Sequence, residues 1–345
     1  MFAATLPPAH DPVPGLVVQL RGPRVRTSVN PRAFEISHWV AYDPAVDAGG
    51  GNPGRFSGFA DIYDANRPSP PPELGPLLCS YANVVAPVVV DLGSGTGLSS
   101  RWAATWAASV VGVEPSDDMR TVAESRPAAG VTYRKAWSHS TGLAERSADV
   151  VLAVQAMHWM EPGSTLAEVA RVLRPGGVFA VVDADWPPVS GVARAEAAWA
   201  ALHRRIRVLE ARAAAGEQGQ ELRRPIADDD PALVDEDLAD PHRNRAMPGG
   251  AQSWSKAGHL ERISTSGYFG FTREVMFNQA VPGGVERFVA LMASQGSYQA
   301  LRRLALSDED IGETQFRHDV EVAFGESASS PGLSFSWRAR IGVRA

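Results

Sequence analysis

The chain has 345 residues, 44% of them hydrophobic and 21% charged, with a formal net charge of −6. That length and composition suit one large α/β domain with additions or two small domains, and the acidic balance gives no field that would attract a phosphate backbone, so nucleic acid is not expected as a partner. The opening "MFAATLPPAHDPVPG" has no basic n-region, and no uncharged apolar run approaches the ~20 residues that a membrane span requires, so neither export nor a membrane is expected. The single cysteine, Cys79, rules out an intrachain disulfide and a cysteine-based zinc site and fits a reducing, cytoplasmic location.

In chain order, residues 1–55 are rich in Pro and Gly without a sustained apolar period and read as a disordered leader. The folded domain is expected over 56–345. Strand and helix signals then alternate: "PVVVDL" extended, "LSSRWAATWAAS" helical, "VVGVE" extended, "SDDMRTVAESR" helical, "VTYRKA" extended, "ADVVLAVQA" extended, "GSTLAEVARVL" helical and "GVFAVVDA" extended. Ser116 is a candidate N-cap with two acids behind it, and Pro175 with the following glycines should end the preceding helix at or before Arg174. Short apolar strands separated by amphipathic helices imply a doubly wound, mostly parallel sheet.

Further on, Trp199, Leu202, Ile206 and Leu209 recur at helical spacing in one long helix from about 192 to 214. Residues 216–250 are acidic, carry prolines and read as a surface excursion, so 192–265 is expected to form a helical cap or surface insertion. "SWSKAGHLERIST" then reads as helical, "YFGFTREVMFNQA" as extended, "GVERFVALMAS" as helical and "LSFSWRARIGV" as extended. These last two strands would complete the sheet.

The turn "VVVDLGSGTG" places Gly93, Gly95 and Gly97 between a buried strand and a helix, where backbone passes close under a ligand at the carboxyl edge of the sheet. Its G-x-G-x-G spacing differs from the G-x-G-x-x-G of dinucleotide enzymes. Asp91 adds an argument from charge, since a carboxylate ~5 Å from a pyrophosphate repels it by roughly 3 kcal/mol at an effective dielectric of ~20. Glu114, at the end of the second strand, is placed to accept hydrogen bonds from the two hydroxyls of a ribose. A nucleoside carrying positive charge and no phosphate satisfies both acids, and S-adenosylmethionine has an ammonium and a sulfonium.

"VVVDLGSGTGLSS", "VGVEPSDDM", "SADVVLAVQAMHWM" and "RVLRPGGVFAVVD" resemble, in order and spacing, the class I S-adenosylmethionine-dependent methyltransferases. The last two are most similar to the small-molecule branch that includes trans-aconitate methyltransferase, as is "FSGFADIYDANRPSPPPEL" before the first strand. The resemblance spans about 57–185 tightly and 268–343 loosely. It implies a Rossmann-like sheet of seven strands with an antiparallel last strand, S-adenosyl-L-methionine as cofactor, S-adenosyl-L-homocysteine as product, and no metal. By the same resemblance Asp91, Gly93, Ser94 and Gly95 hold the methionine end, Glu114 holds the ribose, Pro115 and Met119 pack near the adenine, and Gln155 lines the cofactor. Ser138 and His139 fall where the family reads the adenine with a small residue and an acid; a histidine in place of the acid is a departure.

Methyl transfer needs an aligned acceptor and exclusion of water, and a base only where the acceptor must lose a proton. His158, just past the fourth strand, is the best candidate for that base, with Trp159 beside it as a substrate contact. Tyr63 and Arg67, ahead of the first strand, are expected to close the pocket and to pair with an acidic substrate, respectively. The histidines show no metal-ligand spacing, so no metal is assigned. The leading expectation is a monomeric or homodimeric enzyme methylating a small organic molecule, by preference at the oxygen of a carboxylate or hydroxyl. A silent S-adenosylmethionine-binding regulator, an NAD-dependent oxidoreductase and a nucleic-acid methylase are the competing readings.

Overall fold

The computed structural model describes residues 64–226, 252–326 and 332–345, and the backbone of 244–246. The leader, Tyr63 and most of the acidic segment lie outside the described residues.

Five strands, β1 (Val88–Leu92), β2 (Ser109–Val113), β3 (Val131–Arg134), β4 (Ala148–Val154) and β5 (Leu173–Ala184), pair in parallel. Two long strands follow near the C-terminus, β8 (Phe269–Val281) and β9 (Leu333–Arg344). The seven-stranded sheet runs β3-β2-β1-β4-β5-β9-β8. Strand β9 is antiparallel to both neighbours, so the last strand of the chain lies inside the sheet and β8 takes its edge. A second, two-stranded sheet pairs β6 (Asn244–Ala246) with β7 (Gln252–Trp254). The doubly wound, Rossmann-like sheet expected from the alternating signals is present.

The central parallel strands β1, β4 and the second half of β5 are largely apolar because both faces are covered, whereas the edge strand β3, VTYR, is half-exposed. Alternate residues divide between two cores: Val89, Val150, Leu152, Val178 and Ala180 face one, and Val90, Val151, Phe179 and Val181 the other. The first core takes Leu74 and Leu78 of helix α1 (Leu74–Ala82), Trp102 of α2 (Leu98–Ala103) and the predicted stripe of α5 (Ala193–Ala214). Trp199 of that stripe stacks on Trp186 and meets Phe288 and Phe316 edge-on. The second core takes Leu166 and Val169 of α4 (Pro162–Val172) and Ile263 of α6 (His259–Thr265).

Punctuation follows the chemistry. Helix α3 (Asp117–Ser125) is N-capped by Ser116, whose hydroxyl accepts from Met119 N, and its first turn carries Asp117 and Asp118. Helix α4 stops at Val172, and Gly176 turns the chain in the left-handed region at φ 76°. The segment "SWSKAGHLERIST" departs from the expected single helix. Its start is strand β7 and a single 3-10 turn over Lys256–Gly258, because the Ser255 hydroxyl accepts from Ala257 N and opens a separate turn there. Among the described residues four helices follow β8: α7 (Val285–Ala293), α8 (Gly296–Arg303), α9 (Asp308–Ile311) and α10 (Glu313–Gly325). Of these only α7 was expected from the sequence, and α8 and α10 join α5 in one helical layer.

Candidate cofactor and acceptor site

The glycine turn leaves β1 at the carboxyl edge of the sheet, and Gly93, Gly95 and Gly97 all have positive φ, at 65°, 54° and 80°. Only glycine adopts such angles without strain. The three differ in their surroundings. A Cβ on Gly93 would lie 2.8 Å from both Ala156 Cβ and Met160 Cε, and one on Gly97 would overlap the Tyr133 hydroxyl. One on Gly95 would meet nothing within 4 Å, so the turn is open to a ligand at its middle.

Two buried carboxylates hold this turn. Asp91 accepts from the hydroxyls of Ser99 at 2.7 Å and Ser100 at 2.6 Å on Oδ2, while Oδ1 has no partner among the described residues. Burial pushes its carboxyl up to about 6, against the two hydroxyl donors. The side chain therefore lies beneath the turn, tied to α2. Glu114, at the end of β2, accepts from Gly95 N at 2.9 Å and from Ser116 N at 2.8 Å, one bond to each oxygen. Burial raises it to about 7 despite those backbone donors. The second lone pair of each oxygen is the acceptor capacity a ribose diol requires.

Pro115 follows Glu114, and Met119 is buried under the first turn of α3. The loop after β3 brings the Ser138 hydroxyl within 2.9 Å of Thr165 Oγ1 and stacks half-buried His139 beside Trp137 at 6.2 Å. Ser94 is buried between the glycines.

The other half of the edge, past β4 and β5, is a polar cluster. Gln155 sits at φ 53°, a left-handed angle that directs the chain over the edge, and its Oε1 accepts from Lys256 Nζ at 2.7 Å. Asp183, buried at the end of β5, is 2.9 Å from Arg340 Nη1 and 3.1 Å from Lys256 Nζ. His158 Nδ1 lies 3.8 Å and His259 Nε2 3.9 Å from the same carboxylate. Burial opposes the charge on Asp183, but Lys256 and Arg340 outweigh it and hold the carboxyl well below the usual range. Burial, with Lys256 next, lowers His158 well below its ordinary value, and burial brings His259 down to about 3. Both imidazoles are thus neutral near pH 7. Trp159 packs against His158 with ring centroids 4.8 Å apart.

Donor atoms of His158, Asp183 and His259 lie within 4.8 Å of one another, the spacing of a metal-ligand set. The two cations already on Asp183 oppose a third, and Arg262 donates to His259 Nδ1 at 3.2 Å, which places the proton of that neutral ring on Nε2. These residues suit a proton relay better than a cation.

Ahead of β1, Asp64 accepts from Thr96 Oγ1 at 2.7 Å and Arg101 Nη2 at 2.6 Å, and pairs with Arg126, which clasps the entering chain to the glycine turn. Arg67 lies over the Trp186 ring at 4.5 Å and donates to Ser294 O and Gln295 Oε1, both at 3.1 Å. The structure thus brings the cofactor candidates and His158 to one edge, and ties Arg67 to α7. Asp64, Asp183, Lys256, His259 and Arg340 escaped sequence reasoning. Asp64 carried a signal, inside "YDANRP"; the others come together only through the sheet and the segment after β7.

Residues 90–181 match a family model described as a methyltransferase domain. An uncharacterized methyltransferase of Mycobacterium tuberculosis is 36% identical over 127 residues, which cover 37% of this chain and 51% of the relative. Dimethylglycine N-methyltransferase of Parasynechococcus marenigrum is 34% identical over 102 residues, covering 28% of this chain and 36% of the relative. The chain spans about half the length of the first of these relatives. A solved structure described as a type II methyltransferase of Anaeromyxobacter dehalogenans is 22% identical, with a TM-score of 0.49, over 80% of this chain and 97% of that one.

Proposed function

We propose, from the premise that residues 90–181 are a methyltransferase domain, that this chain is a class I enzyme transferring the methyl group of S-adenosylmethionine to an oxygen of a small organic molecule. The observation that carries the cofactor is the open middle of the turn at Gly95 beside buried Glu114, whose carboxylate accepts one backbone N–H on each oxygen and keeps further acceptor capacity, while Arg120 donates to its main-chain carbonyl. Backbone of Gly93, Ser94 and Gly95 would take the methionine end and Glu114 the ribose hydroxyls. Pro115, Met119, Ser138 and His139 would border the adenine. When bound, the cofactor supplies a methyl carbon made electrophilic by its sulfonium.

This chain's own part is to orient the acceptor, exclude water and move a proton. Gln155, His158 and Trp159 border the acceptor side, and the neutral imidazole of His158 accepts a proton from a hydroxyl. The alternative of an amine acceptor has support in the name of one matched relative; a histidine held neutral beside an ammonium favours oxygen. The enzyme acts in the cytoplasm as a monomer or homodimer and needs no metal. Among the described residues no helix is long and apolar enough to cross a membrane.

Calorimetry with S-adenosylhomocysteine tests the reading. Binding at one site is expected, weakened roughly tenfold in Glu114→Gln by loss of a charge-assisted hydrogen bond. A folded protein with no detectable affinity overturns the proposal, and NADH binding in its place supports the oxidoreductase. Binding without turnover on any phenol, carboxylic acid or amine supports the silent regulator.

A further inference from the structure

The cluster at the ends of β4 and β5 contains more than a base. Lys256 Nζ touches Gln155 Oε1 at 2.7 Å and Asp183 Oδ1 at 3.1 Å, and its side chain is 34% exposed, whereas Asp183 is 3% exposed. Of the three N–H donors of the ammonium, one goes to Gln155 Oε1 and the contact with Asp183 is an ion pair, so at least one donor is left to offer toward the open edge. His158 Nδ1, Asp183 Oδ1 and His259 Nε2 are buried without a hydrogen-bond partner among the described residues, although His158 Nδ1 lies 3.8 Å from Asp183 Oδ1 and His259 Nε2 lies 3.9 Å from Asp183 Oδ2. Buried polar atoms are rarely left so, and a group of them at a ligand edge points to function. Asp183 is kept ionised by Lys256 and by Arg340, which lies 2.9 Å from its other oxygen.

We propose that Lys256 and His158, coupled through the buried carboxylate of Asp183, form an acceptor-activating subsite for a weakly acidic hydroxyl, a phenol or an enol. The proposal rests on the methyltransferase reading and names the acceptor class within it. The acceptor O–H bond breaks and its proton passes to the His158 imidazole, whose new charge Asp183 stabilises. The oxygen's electron pair forms the bond to the methyl carbon, and the pair of the broken carbon–sulfur bond stays on sulfur, which ends neutral. Lys256 stabilises the negative charge that grows on the oxygen before the bond forms. An imidazole lies closer in proton affinity to a phenol or enol than to an aliphatic alcohol, and Lys256 narrows the remaining gap by stabilising the oxyanion. Burial, Lys256, His259 and Arg67 act against protonation of His158, and Asp183 acts for it.

The test uses the full chain with S-adenosylmethionine and a series of para-substituted phenols from p-nitrophenol to p-methoxyphenol, with benzoate and benzylamine as other arms. Lys256→Met is expected to lose about 100-fold in kcat/KM on the least acidic phenol and progressively less toward p-nitrophenol, because the missing cation matters most where the oxygen holds its proton hardest. Lys256→Arg should recover part of the loss. A second readout needs no turnover. In the complex with S-adenosylhomocysteine, bound p-nitrophenol should ionise at lower pH than free p-nitrophenol, by its phenolate absorbance, and Lys256→Met should abolish that shift. The variant should keep wild-type affinity for S-adenosylhomocysteine, which separates the subsite from the cofactor half. The proposal is overturned by equal losses on all phenols, by no loss, by an absent absorbance shift, or by turnover of benzoate or benzylamine alone. Failure of the wild type to bind S-adenosylhomocysteine strikes the methyltransferase reading itself, and the proposal falls with it.

Discussion

Gly93 and Gly95 occupy the same turn with nearly the same backbone angle, yet a methyl group would do different things at each. At both, alanine carries the strain of a left-handed angle, about 1–2 kcal/mol. At Gly93 the added carbon also lies 2.8 Å from Ala156 Cβ and Met160 Cε, inside a packed region that must shift to admit it. At Gly95 it meets nothing within 4 Å. Gly93→Ala should therefore lower stability by about 2–4 kcal/mol in urea unfolding. Gly95→Ala should lose only about 1–2 kcal/mol but weaken S-adenosylhomocysteine binding at least roughly tenfold, because the methyl occupies the approach of the ligand to the backbone. Unchanged affinity in Gly95→Ala would show that the ligand does not pass over this residue.

Among elements, the chain entering β1 is held by one side chain, since Asp64 joins Thr96 in the glycine turn, Arg101 in α2 and Arg126 after α3. Hydrogen bonds of this kind to a charged group contribute roughly 1.5–3 kcal/mol. Asp64→Asn keeps the shape and halves the acceptor capacity. We expect it to cost about 1–2 kcal/mol of stability and to speed release of S-adenosylhomocysteine in stopped-flow displacement; an unaltered release rate would make the clasp purely structural. The clasp also shows what the sequence made legible. Strands β1, β4 and β5 read clearly because two-sided burial makes them largely apolar runs, and Trp199, Leu202, Ile206 and Leu209 marked α5 because it is long enough to display a period. Helices α8 and α9 did not read because they are only 8 and 4 residues long, and the 13-residue α10 did not because its buried Phe316, Val320, Ala323 and Phe324 are set among charged and polar residues. Glu114 and Gly95 were visible because both lie next to strand ends. Asp183 and Lys256 were not, because the contact between them is made by the fold and no local spacing encodes it.

Over the whole molecule, the buried ionisable groups form two opposed sets, and their balance predicts how stability responds to acid. Glu114 is raised to about 7 and Asp91 to about 6, so the folded chain holds protons that the unfolded chain has released. For Glu114 the window lies between about 7 folded and an ordinary 4.5, and stability rises as pH falls through it. His259 is lowered to about 3 from 6.5 and His158 is lowered in the same direction, so there the unfolded chain binds the extra protons and stability falls with pH. Between pH 7 and pH 5, roughly, two carboxylates pull one way and two imidazoles the other. The ligand-free wild type should therefore change little in its urea midpoint across that interval. Glu114→Gln removes a group that favours acid, and the variant should lose stability on acidification. His259→Gln removes one that resists acid, and the variant should gain. The opposite tilts are the decisive measurement, because a loss of packing would lower both curves without changing their slopes. If Glu114 holds the ribose as proposed, hydroxyls donating to it favour its ionised form, so S-adenosylhomocysteine should bind more tightly as pH rises through about 7 and should release a proton to buffer, and Glu114→Gln should abolish both effects.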